Sequence, residues 1–253
     1  MANIIRCVLP DGVHRFKPFK VSDYRDFLLV RNDMLTKSEE IQIDLIDELA
    51  GDYFGEYPKS WQSYIFLSVF TGSIGKTKIP IVYDCPICGK THKKLFNISQ
   101  DDLVNPRIKI DENAELIFKI PENIYHDSAK MIYDNIEIVI FNDIEYKWDE
   151  LDEDTQSNII DMIDIEKFEE IVKKLKPIHF ELVLKCCDTR TIVYDDLMSI
   201  FKLLINPDEV FSFYEINHIL TKNSYDLNAV MNMLPAERSI ALSLIERDRK
   251  DKK

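Results

Sequence analysis

The chain of 253 residues carries 32 Lys+Arg against 45 Asp+Glu, a net charge of −13, with 45% hydrophobic and 11% aromatic residues. That composition excludes a disordered chain, and no apolar run approaches the roughly 18 residues of a membrane-spanning helix, so no membrane span is expected. The start, MANIIRCVLPDG, lacks the charged-then-apolar order of an export signal, and five cysteines fit a reducing cytoplasm better than a disulfide framework.

In chain order, NIIRCVL and VHRFKPF flank Pro10-Asp11-Gly12, where proline fixes φ and glycine supplies positive φ; a β-hairpin is predicted. Ser22 is expected to cap a helix over SDYRDFLLVRND, with Tyr24, Phe27, Leu28 and Met34 near helical spacing. A second helix follows Ser38, placing Ile41, Leu45, Ile46 and Leu49 on one face. In SWQSYIFLSVFTGSIG, apolar residues cover nearly the whole circumference of a third helix, which must therefore be buried in its own fold or against a partner. Gly72 and Gly75 are expected to end it. The fragment GSIGKTK imitates a phosphate-binding loop, but Phe70 stands where the loop needs glycine, and the order is helix-to-strand instead of strand-to-helix.

Residues 79–83 and 93–98 read as strands around a Cys85/Cys88 turn, followed by a short helix SQDDLV capped by Ser99. RIKID, ELIFKI and IEIVIF give three more strands, and the stretch from Trp148 to Pro177 gives two helices broken near Asp164. Residues 111–170 hold four basic and 19 acidic residues, a balance of −15 that accounts for the whole acidic excess. Such a block is a solvated face or meets a basic partner; it opposes nucleic-acid binding. HFELVLK is a strand, and from Tyr194 onward short amphipathic helices point to a small bundle.

The fold class is therefore α+β: an N-terminal β-hairpin and helices, cysteine-tipped β-hairpins of zinc-ribbon type, and a small C-terminal helical bundle. The expected regions are 1–110, 111–193 and 194–253.

The segment DCPICGKTHKK offers Cys85-x-x-Cys88 on a tight turn with glycine after it, half of a tetrahedral zinc site. LVLKCCDTRTIVYDDLM repeats the order of strand, cysteine turn and strand, each followed by Asp-Asp-Leu, and supplies Cys186 and Cys187. Neighbours on a strand point to opposite faces, so both ligate one metal only if the turn begins at Cys186. His92 is a substitute for one of them. Two readings stand: a structural zinc clipping the two hairpins, or hairpin tips that fold without metal and use cysteine as a small hydrophobe.

No catalytic motif is present: the five histidines are isolated, and there is no GxSxG, HExxH or glycine-rich nucleotide loop. The acidic DELDEDT is expected to serve a helix start, and His126-Asp127 a surface loop. No catalytic residues are assigned. Trp61, Tyr64 and Phe70 of the aromatic helix are candidates for a docking surface, or for core.

The order of LP-D-G, K-P-F-x-V, an aromatic helix running into Ser73-Ile74-Gly75, Cys85-Pro86-Ile87-Cys88-Gly89 and a second cysteine pair resembles the T4-type phage baseplate hub proteins. The resemblance covers residues 4–205. It implies a non-enzymatic late protein that builds the central hub of a contractile tail's baseplate in the host cytoplasm, as subunit or assembly factor. Other baseplate hub and tail proteins would be its partners. The alternative is a zinc-ribbon regulator binding nucleic acid or polymerase, favoured by Lys90, His92, Lys93 and Lys94 and opposed by the acidic block.

Overall fold

The computed structural model describes residues 4–251. Strands β1 (Ile5–Leu9) and β2 (Gly12–Phe16) pair with Leu9 opposite Gly12, leaving Pro10-Asp11 as the tip of the expected hairpin. Three helices follow: α1 (Val21–Asp33), α2 (Glu39–Phe54) and α3 (Gln62–Ile74). Helix α1 starts one residue before the anticipated Ser22 cap. Lys20 is its N-cap residue, and the Lys20 N–H donates to the Asp23 carboxylate at 2.7 Å, so the acid three residues on supplies the capping partner. On α2 the buried face is Ile46, Ala50 and Phe54, with Ile41 45% exposed, because only the later turns reach the core.

Helix α3 is buried all round, as its composition requires, with Ile65, Leu67 and Val69 fully buried. Gly75 ends it at φ 67°, its N–H donating to Thr71 O. Gly72 lies inside the helix and does not end it. A Cβ there would come 2.8 Å from Ile5 Cδ1, so the glycine allows close approach to the first hairpin. Gly75→Ala is expected to cost about 1 kcal/mol, the penalty for an L side chain in left-handed backbone. Urea unfolding should show a lower midpoint at unchanged slope.

A second hairpin, β3 (Lys78–Asp84) with β4 (Thr91–Asn97), carries the first cysteine pair at its tip. The expected SQDDLV helix is absent. Leu103 N instead donates to Val8 O, and Gln100 Nε2 donates to Tyr64 O, which holds the segment in non-helical form across β1 and α3. Tertiary hydrogen bonds and burial of Ile98 and Leu103 override local helix preference.

The acidic stretch builds a four-stranded antiparallel sheet in the order β5 (Arg107–Lys109), β6 (Ala114–Phe118), β7 (Ile136–Phe141), β8 (Ile144–Lys147). Helix α4 (Ser128–Asn135) lies between β6 and β7 and was not foreseen; Asp127 caps it by accepting from Ala129 N and Lys130 N. Strand β8 was also missed, since all four of its residues are exposed and it has no apolar alternation. It turns back through Asn142-Asp143, both at positive φ. Helices α5 (Glu153–Asp161) and α6 (Ile165–Leu175) follow, capped by Asp152 and Asp164, so the acids serve helix starts.

The third hairpin, β9 (Phe180–Lys185) with β10 (Thr189–Tyr194), carries the second cysteine pair. Tyr194 thus closes a strand, and the helical region begins three residues later. It comprises α7 (Leu197–Leu204), α8 (Glu209–Lys222), α9 (Leu227–Asn232) and α10 (Pro235–Asp251). The Asp196 carboxylate accepts from Ser199 N at 2.8 Å. Asp196→Ala should cost about 1 kcal/mol, with Asp196→Asn restoring most of it in thermal unfolding.

Hydrophobic packing follows three centres. The largest joins β1, α1–α3 and α7 around an aromatic stack in which Phe27 lies 4.8 Å from Phe19 and 5.5 Å from Phe66, ring to ring. A second packs Leu116 and Phe118 of the sheet on Ile171 and Leu175 of α6. A third unites Leu220, Val230, Ala241 and Ile245. Ile178 and Leu182 at the β9–β10 hairpin belong to the first centre, so this hairpin packs with residues 5–103 and not with the acidic sheet.

Candidate metal centre

The β3–β4 and β9–β10 hairpins lie against each other and bring their tips together. Tyr83 OH donates to Lys185 O at 3.1 Å, Lys94 Nζ donates to Val183 O, and Phe96 meets Phe180 and Tyr194 edge-on or tilted. These contacts aim both cysteine turns at one point.

In the first tip, Gly89 N donates to Cys85 O and Cys85 N to Lys90 O, with Gly89 at φ 69°. The positive φ is why glycine follows the second cysteine. In the second tip, β9 ends at Lys185 and β10 begins at Thr189, and Cys186 N donates to Asp188 O. The turn therefore begins at Cys186, which is the condition for both adjacent cysteines to face one centre.

The Sγ atoms of Cys85, Cys88, Cys186 and Cys187 all lie within 4.8 Å of one another. Cys88 and Cys186 are 3.6 Å apart, close to the edge of about 3.8 Å of a tetrahedron built on Zn–S bonds of about 2.3 Å. All four thiols are free, and Cys85 is buried while the others are exposed. His92 does not replace a cysteine: its Nε2 sits 3.0 Å from Cys186 Sγ and its ring stacks on Tyr83. It faces the cluster from outside as a hydrogen-bonding partner of a sulfur.

The electrostatics separate the thiols. Backbone N–H groups of Cys88, Ile87 and Cys187 bring the Cys85 thiol down to about 6. Hydrogen bonding with Cys88 raises Cys186, and raises Cys187 to about 12. Thiolates packed this closely repel, so a full set of four is stable only around a divalent cation. The donor set and its spacing fit a closed, four-coordinate zinc, which leaves no position for a substrate.

The other expected site residues are elsewhere. Trp61, Tyr64 and Phe70 are 5%, 4% and 4% exposed, buried in this chain's own core instead of forming a docking face. Trp61 Nε1 donates to Pro121 O, as does Ser60 Oγ, fastening the start of α3 to the acidic region. His14 pairs with Asp11 and His179 with Glu181, each away from the thiols. Among the described residues no helix is long and apolar enough to cross a membrane.

Fold and thiol cluster together define an α+β protein of small antiparallel sheets, with two hairpins meeting at a cysteine clip and a helical C-terminal region. Comparison with family models carries this further: the model described as T4 bacteriophage base plate protein matches residues 1–202, and that of the baseplate hub assembly protein Gp51 C-terminal domain matches residues 204–250. The chain belongs to the T4 bacteriophage base plate protein family, as a T4-type baseplate hub assembly protein. The second match, residues 204–250, falls almost wholly beyond the stretch that the sequence resemblance covers. No curated protein and no solved structure matches the chain.

Proposed function

We propose that this chain promotes assembly of the baseplate's central hub by protein–protein contacts, without catalysis, and that Cys85, Cys88, Cys186 and Cys187 hold one structural zinc. The family matches across both parts of the chain carry the assembly role. The convergence of four thiols from turns about a hundred residues apart carries the metal. Zinc here would fix the relative position of two hairpins whose own sheets have two strands each, the minimum and least stable size. The shape presented to hub partners would then depend on the metal.

The role is tested in infected host cells by supplying the chain in trans to a phage lacking it. Wild-type protein should restore complete tails. Full yield of tails in the absence of the chain would overturn the assembly role. A Cys88→Ser/Cys186→Ser variant should restore fewer tails at 37 °C than at low temperature, since its defect lies in holding shape.

A further inference from the structure

We propose that the acidic middle region carries a docking groove for a basic amphipathic segment of a partner protein, a proposal that rests on the hub-assembly reading above. An apolar groove of about 280 Å³ lies between the sheet and α5. Ala114 and Leu116 of β6 and Val139 and Phe141 of β7 form its floor, while Ile159 of α5 and Met162, which caps the end of that helix, form its wall. Ala114, Leu116 and Val139 are buried at the bottom of the groove, while Phe141, Tyr146 and Met162 are 44%, 42% and 41% exposed, so its apolar rim meets solvent. An apolar recess on an exposed surface marks a binding site for apolar side chains.

Charge identifies the occupant. The groove is built from the block with four basic and 19 acidic residues. Three of those four cations are already engaged, Lys119 with Glu137, Lys147 with Glu150 and Lys167 with Glu170. On α5, Asp154 and Asp161 stand four before and three after the groove residue Asn158, which puts both acids along one edge of the wall. Asp143 is exposed at the β7–β8 turn, two residues after the groove residue Phe141. Apolar floor and acidic rim together select a segment with leucine or phenylalanine on one face and lysine or arginine around it. A nucleic-acid phosphate backbone would be repelled.

The test titrates the full chain with a labelled helical peptide of about 14 residues, leucine and phenylalanine at i, i+3, i+4 and i+7 and lysine elsewhere. Two counterparts replace the apolar residues by serine or the lysines by glutamate. The first peptide should bind and the two counterparts should not. Asp154→Lys/Asp161→Lys should weaken binding about tenfold or more at low salt, and Met162→Glu should abolish it, with the unfolding midpoint of each variant near wild type. Absence of binding, equal binding of the serine peptide, or unchanged binding by both variants would overturn the proposal. So would a solution mass of two chains that falls to one in Met162→Glu, because the groove would then close on a second copy. In infected cells the two claims separate: if loss of the chain stops tail assembly but the variants support it fully, the groove fails and the hub role stands. If tails form without the chain, the hub role fails whatever the peptide does.

Discussion

Phe27→Ala is expected to lower the free energy of unfolding by about 3–5 kcal/mol, the range for deleting a buried aromatic ring that neighbours cannot replace. Phe27 is fully buried and its ring meets Phe19, Tyr53, Phe66 and Phe201. Those rings come from the segment before α1, from α2, from α3 and from α7, so a cavity at Phe27 loosens the packing of α1 against three other helices. Against a typical domain stability of about 5–15 kcal/mol, the loss is a large fraction. Denaturant unfolding checks it. Phe27→Leu, which keeps most of the volume, should recover more than half of the deficit; equal loss in both variants would point away from cavity formation.

The second large effect concerns the thiols. If the proposed zinc is held there, Cys88→Ser is expected to abolish its binding and free the two hairpin tips from each other while leaving the aromatic core folded. Structural zinc in small peptides is worth about 10–16 kcal/mol because binding is folding there. Here the hairpins are also held by Phe96 packing on Phe180 and Tyr194 and by Lys94 donating to Val183 O. The expected result is a clear drop in melting temperature with little change in far-UV circular dichroism. Protease cleavage should appear between Asp84 and Thr91 and between Lys185 and Thr189. Global unfolding of the variant would mean that the clip supports the main core as well. Unchanged melting and cleavage would mean that the hairpin packing alone holds the tips.

Much of this architecture is legible in the sequence because local chemistry and tertiary packing agree there. Pro10-Asp11-Gly12 makes one turn and the strands on either side need no other instruction. The all-round apolar helix was bound to be interior, and Asp152, Asp164 and Asp196 sit where helices begin. Failures came where distant partners decide. Asp101-Asp102-Leu103 looks like Asp195-Asp196-Leu197, yet only the latter starts a helix, since β1 and α3 take the hydrogen bonds of the former segment. Strand β8 is exposed along its length and is defined by pairing with β7. The four thiols could be named from the sequence. Their meeting is one of two readings there, conditional on the turn beginning at Cys186, and only the folded hairpins decide that condition. The groove has no sequence signature at all, since its floor and wall come from separate strands and a helix.

The most direct measurement is the zinc content of the purified full chain by elemental analysis, with Cys88→Ser/Cys186→Ser measured beside it. Proposed tetrathiolate binding predicts one zinc per chain for the wild type, removable by a strong chelator, and none for the variant. A wild-type chain prepared with zinc present that holds none, or a variant that retains it fully, would contradict a metal clip between the two hairpins.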